Sequence, residues 1–142
     1  MLDENEYERW MKSAKHTLRS AKADRKGGDY NWACFKAHQA AEKAIKALLY
    51  GLGLPTYRRS ISKLVTKIPR TIKPKRKIMQ DAKSLDKLCI PTRYPNAWIE
   101  GTPEEYYTSR DAKEAIKSAQ NIIAYMEETW KLLKEELRKE KG

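Results

Sequence analysis

Residues 112–137 read AKEAIKSAQNIIAYMEETWKLLKEEL. Apolar side chains fall at Ala112, Ile116, Ala119, Ile123, Met126, Trp130, Leu133 and Leu137, in steps of 4, 3, 4, 3, 4, 3 and 4 residues. A recurrence of about 3.5 residues places these positions along one side of a helix, and seams of that period belong to bundles whose helices cross at about 20°. A long helix with one apolar seam needs partners, and the rest of the chain supplies them.

At the start of the chain, Tyr7, Met11, Ala14, Leu18 and Ala21 are spaced 4, 3, 4 and 3. Asp3 suits the N-cap, with Glu4 and Glu6 in the first turn, and Gly27-Gly28 marks the stop. Asp29 is the next N-cap candidate. Behind it run two adjacent rows, Cys34, His38, Ala41, Ile45, Leu48 and Leu52 beside Ala33, Ala37, Ala40, Ala44 and Ala47. An arc this wide predicts a central helix, and its alanines would admit another backbone closely. Gly51, Gly53 and Pro55 are expected to end it.

Ile61, Leu64, Val65 and Ile68 predict a short helix stopped by Pro69. Pro74 is expected to open another that carries Ile78, Ala82 and Leu85 on one face. Pro91, Pro95 and Pro103 forbid a continuous helix through 89–103. Thr102, Pro103 and Glu105 have the character of cap, first helical residue and early acid. No run alternates as a strand does. The expectation is therefore an all-α, up-and-down antiparallel bundle of four long helices plus one short basic helix. It forms a single domain over 1–142, with its core at about 5–130.

Composition narrows the functional classes. A chain of 142 residues suits one hydrophobic core. No apolar run approaches the roughly 18–20 residues of a membrane span. The first residues have neither the basic nor the apolar region of a secretory signal, so a cytoplasmic protein is expected. Cys34 and Cys89 lack a CxxC spacing and read as reduced thiols, with a disulfide left open. The formal net charge is +11, which favours polyanionic partners, nucleic acid before a membrane surface. Segment 56–77 concentrates that charge in Arg58, Arg59, Lys63, Lys67, Arg70, Lys73, Lys75, Arg76 and Lys77, with no acid among them. Such a patch is either a solvated face or a contact surface. Mutual repulsion of nine like charges favours the second.

Chemistry-bearing residues are few. Of two histidines, His38 lies on the central seam, where a packed, once-hydrogen-bonded ring is the plain reading, and His16 lies off its stripe. There is no Ser-His-Asp or Cys-His constellation, no P-loop, no GxGxxG and no cluster of metal ligands, so neither metal nor cofactor is expected. Trp10 and Trp130 lie on or beside helix stripes. Trp98, with Tyr94, Tyr106 and Tyr107 nearby, either stacks on a ligand or pins the long loop to the bundle. Within Pro91-Thr92-Arg93-Tyr94-Pro95-Asn96-Ala97-Trp98, Arg93 lies between two prolines that restrict its backbone. It can grip a phosphate in bidentate fashion or tie the loop to a helix carboxylate such as Asp86 or Glu42.

Residues 35–49, FKAHQAAEKAIKALL, resemble the second-helix signature of HEPN domains (higher eukaryotes and prokaryotes nucleotide-binding). Leu85-Asp86-Lys87-Leu88 followed by residues 90–96 is similar to the loop motif of one prokaryotic branch, as are Gly101-Thr102-Pro103, Tyr106-Tyr107 and Asp111-Ala112. The resemblance spans most of residues 5–130. It implies a helical bundle that dimerises. It also implies either a metal-independent RNase with an Arg-x4–6-His motif or a partner of a small nucleotidyltransferase in a toxin–antitoxin pair. Arg93 matches the motif arginine. A four-residue spacer puts Trp98 where the histidine would stand, and no histidine follows in the window. Histidine suits proton transfer near neutral pH, and tryptophan cannot replace it, whereas Arg93 can still stabilise phosphate charge. His38, reaching the groove from the second helix, is the other catalytic candidate. The resemblance thus implies a homodimeric module that binds nucleotide, RNA or a nucleotidyltransferase through Arg93, Tyr94, Asn96 and Trp98. The alternatives are an RNase toxin with a degenerate motif and a helical dimerisation scaffold.

Overall fold

The computed structural model describes residues 2–72, 74–89 and 95–141. Its helices are α1 (Glu4–Lys26), α2 (Tyr30–Gly51), α3 (Ile61–Thr66), α4 (Arg76–Cys89), α5 (Pro103–Tyr106) and α6 (Ser109–Lys141), with 3-10 turns at Arg70–Ile72 and Pro95–Ala97. Among the described residues there is no strand, and no helix is long and apolar enough to cross a membrane. The expected all-α bundle of four long helices plus a short basic one is present, as α1, α2, α4 and α6 with α3.

The Asp3 side chain caps α1 by accepting from the Glu6 amide at 3.1 Å. Gly28 turns the chain at a φ of 87°, which glycine adopts without strain. Asp29 holds the N-cap position of α2, but its side chain makes no capping hydrogen bond. Gly51 departs from expectation too. It is the last residue of α2 rather than its stop, and the left-handed turn falls at Gly53, with a φ of 75°. Pro74 precedes α4 by two residues instead of opening it.

The long helices alternate in direction. The Asp3 amide donates to the Gly51 carbonyl at 2.8 Å, so α1 starts where α2 ends. Tyr107 Oη donates to the Leu88 carbonyl at 2.7 Å, so α4 ends where α6 begins. The central helix is α2, packed on α1, α3, α4 and α6. All the alanines of its second row are fully buried. The α6 seam is buried from Ala112 to Trp130 and fades at Leu133. A second row, Ala115 and Ile122, is also buried.

Thr102 and Glu105 form a capping box, but it opens only the one-turn helix α5. Tyr107 is then extended, with a φ of −85° and a ψ of 140°. A second reciprocal pair opens α6. The Asp111 amide donates to Thr108 Oγ1 at 3.1 Å, and the Thr108 amide to Asp111 Oδ2 at 3.0 Å. Two capping pairs six residues apart split what a single periodic pattern would merge.

Candidate functional site

Facing sides of α4 and α6 leave a cleft of about 670 Å³, closed at one end by residues 98–107. Leu85 and Ala115 form its buried floor. Asp81, also buried, accepts from Ser118 Oγ at 3.1 Å and Asn121 Nδ2 at 3.2 Å, and pairs with Lys77 Nζ at 3.3 Å. These partners satisfy a carboxylate that burial would otherwise penalise. Both signs of charge line the opening, with Lys77 and Lys87 from α4 and Asp111, Glu114 and Lys117 from α6.

The aromatic wall comes from the loop. Trp98 is half-buried. It stacks on Tyr106 with ring centroids 4.3 Å apart and planes 10° apart, and meets Tyr107 edge-on at 5.7 Å. Tyr106 Oη donates to the Glu100 carbonyl at 2.6 Å, which fixes the stack against the loop backbone. Trp98 therefore pins the loop to the bundle and lines the cleft at the same time. Asn96 is exposed on its 3-10 turn and does not line the cleft. Arg93, Tyr94 and Lys73 lie outside the described residues.

Neither histidine lines the cleft. His16 is exposed beside Arg19. His38 Nε2 donates to Asp86 Oδ1 at 2.9 Å, on the side of α4 that faces α2 and α3. Asp86 also accepts from the amides of Ile61 and Ser62, each at 2.9 Å, and from the hydroxyls of Ser60 and Ser62, each at 2.8 Å. Partial burial opposes its charge. The two amides, His38 and Ser60 outweigh that penalty and hold the carboxyl at about 2. Asp86 thus anchors the N-terminus of α3, where the helix dipole favours an anion. With Glu42 bound to Lys46 at 3.1 Å, both carboxylates considered as anchors for Arg93 have other partners.

The basic segment is laid out by its apolar residues. Ile61, Leu64, Val65 and Ile68 are buried, which leaves Arg58, Arg59, Lys63, Lys67, Arg70, Lys75, Arg76 and Lys77 exposed. Among the described residues of this segment, only Lys77 makes an ion pair. Sequence reasoning missed Asp81 and the anchoring role of Asp86. The Ser-x-Ser before the apolar run of α3 was the available signal for the latter.

Comparison with known proteins gives this arrangement relatives. The HEPN domain family matches residues 7–129. The crystal structure of TT1696 from Thermus thermophilus is 41% identical with a TM-score of 0.85, covering 88% of this chain and 98% of that one. ST0689, described as an archaeal HEPN homologue, is also 41% identical, with a TM-score of 0.72 over 85% of this chain and 94% of its own. A HEPN domain protein from Thermotoga maritima is 32% identical, with a TM-score of 0.71 over 87% and 98%. A Methanocaldococcus jannaschii protein named "Putative toxin MJ1304" is 28% identical over 80% of this chain and 81% of its own. The family match over residues 7–129 and the shared fold at 32–41% identity lead to one conclusion: this chain belongs to the HEPN domain family.

Proposed function

We propose that the chain is a HEPN module that binds RNA or nucleotide at the α4–α6 cleft without turning it over. The observation that carries this is the cleft itself, an aromatic stack at one wall with lysines at the opening, which suits a base and its phosphate. The engagement of His38 with Asp86, away from the cleft, favours binding over histidine-dependent proton transfer. Arg93 is assigned to phosphate contact, with Tyr94 and Asn96 beside it. The module acts as a homodimer, with a small nucleotidyltransferase as the protein partner. The toxin name of the M. jannaschii relative favours a second reading, an RNase with an altered site.

One experiment separates the two. End-labelled RNA is incubated in EDTA with wild type, Arg93→Ala and Trp98→Ala. Retention is read by anisotropy and cleavage on a denaturing gel. Expected are binding without cleavage by wild type, and a weakening of about 5- to 100-fold in Trp98→Ala, the range for loss of one base–aromatic stack. Cleavage by wild type that Arg93→Ala abolishes would establish the RNase reading instead. Absence of any binding would overturn both.

A further inference from the structure

A second cleft, of about 680 Å³, lies between the last turns of α1 and the first turns of α6. Lys22, Arg25 and Lys26 line one wall, and Lys113 and Lys117 the other. Among the described residues that line it none is acidic, and none of the four lysines makes an ion pair. Three nearby acids are engaged elsewhere, Asp24 with Lys36 at 2.7 Å, Glu114 with Arg110 at 3.3 Å, and Asp111 with the Thr108 amide at 3.0 Å. Arg25 is half-buried, and its Nε donates to the Ser109 carbonyl at 3.1 Å, which ties the end of α1 to the start of α6.

The helix dipoles account for only half of this. Cations in the last turn of α1 meet its negative end favourably. On α6 the first turn holds the anion its dipole favours, Asp111, but also Arg110, with Lys113 and Lys117 following at one-turn spacing. Five cations facing one another across a gap repel, and a polyanion would relieve that repulsion.

The cleft also adjoins the aromatic one, with Lys117 lining both. A smaller depression of about 470 Å³ shares Arg25, Lys113 and Lys117 with the basic cleft, and Glu114 and Lys117 with the aromatic cleft. The three together cross the first turns of α6. No aromatic residue lines the basic end, so nothing there can stack a base. What it can hold is backbone phosphate, regardless of sequence.

We infer that the α1–α6 cleft holds the phosphodiester backbone of a single-stranded RNA whose base occupies the α4–α6 cleft. This inference rests on the RNA-binding reading above and adds a phosphate track to which no residue of segment 56–77 contributes. The probe is a fluorescein-labelled oligouridylate of about 20 nucleotides, longer than the roughly 4–16 nucleotides a single-strand site covers. Its anisotropy is titrated from about 50 to about 200 mM KCl. Lys22→Glu/Lys113→Glu is compared with Lys12→Glu/Lys131→Glu, an equal charge change at exposed positions elsewhere. Circular dichroism checks that both variants fold.

The cleft variant is expected to bind about tenfold or more weakly. Its salt dependence should be shallower by about 1.4, two phosphate contacts at roughly 0.7 each. The control should stay within about threefold of wild type. Equal losses in the two variants would reduce the effect to net charge and overturn the inference. So would an unchanged cleft variant, while wild-type binding that Trp98→Ala weakens would leave the RNA-binding reading standing. A wild type that does not bind the oligonucleotide would bring down both.

Discussion

Asp86 joins three elements through one carboxylate, from His38 on α2, from residues 60–62 at the start of α3, and from its own place on α4. Its carboxyl is lowered from 3.8 to about 2 in the folded chain. A carboxyl with a depressed value stabilises the fold above its unfolded pKa, and that contribution disappears as pH falls through the folded one. At neutral pH it amounts to about 2 kcal/mol. Asp86→Asn should therefore lower stability by about that amount at pH 7, since an amide offers one acceptor oxygen where five donors converge. Urea unfolding between pH 7 and pH 2 checks this. The gap between wild type and variant should narrow as pH drops from about 4 to about 2. A gap of constant size would mean that the charge of the carboxylate is not what holds α3.

At the scale of elements, the approach of α2 to α6 is set by one missing side chain. A Cβ on Gly51 would lie 2.5 and 2.7 Å from Trp130 Cζ3 and Cη2, and 3.1 Å from Tyr7 Cβ. The indole has little room to move aside, because it stacks on the Tyr7 ring at 4.2 Å with planes 9° apart. Burial and the nearby Glu127 and Glu8 push the Tyr7 phenol up to about 12, so this stack stays uncharged across the physiological range. Glycine-to-alanine changes inside helices usually gain up to about 1 kcal/mol. Here overpacking reverses the sign, and Gly51→Ala should cost about 1–3 kcal/mol. Combination with Trp130→Leu should recover part of the loss, and urea midpoints of the two single variants and the double would measure that coupling.

The same elements mark how far the sequence could be read. The periodicities of α1, α2 and α6 named the buried residues, because a helix seam is written every three or four positions. Gly51 was legible as glycine but not as a site of close approach, since its neighbours Tyr7 and Trp130 are distant in sequence. The α1–α6 cleft escaped for that reason, its walls lying about ninety residues apart. Trp98 was legible as an aromatic in a loop, but its stacking partner was not, because periodicity does not extend through irregular backbone. The start of α6 was blurred by two successive caps, each sound by local rules.

For the whole molecule, the charge of +11 is spread over two faces rather than one. Segment 56–77 covers the side built by α3 and the turn before α4, and the α1–α6 cleft takes the end where those two helices meet. The length of α6 matters as well. Its 33 residues span about 50 Å at 1.5 Å per residue, whereas the 23 of α1 span about 35 Å. Beyond Trp130 the contact thins to a half-buried Leu133 against the core. Leu132 is 52% exposed, and Lys134 pairs with Glu4 at 3.1 Å. An overhang with so few tertiary contacts frays first. Brief trypsin treatment should therefore clip at Lys131, Lys134, Arg138 or Lys139 and leave a fragment, resolved by mass spectrometry, that retains the whole span matched to the family. Early cuts inside α2 instead would show that the bundle opens before its overhang does. The projecting turns are thus a natural handle, a place to attach a dye, a tag or a surface tether while both clefts stay open to solvent.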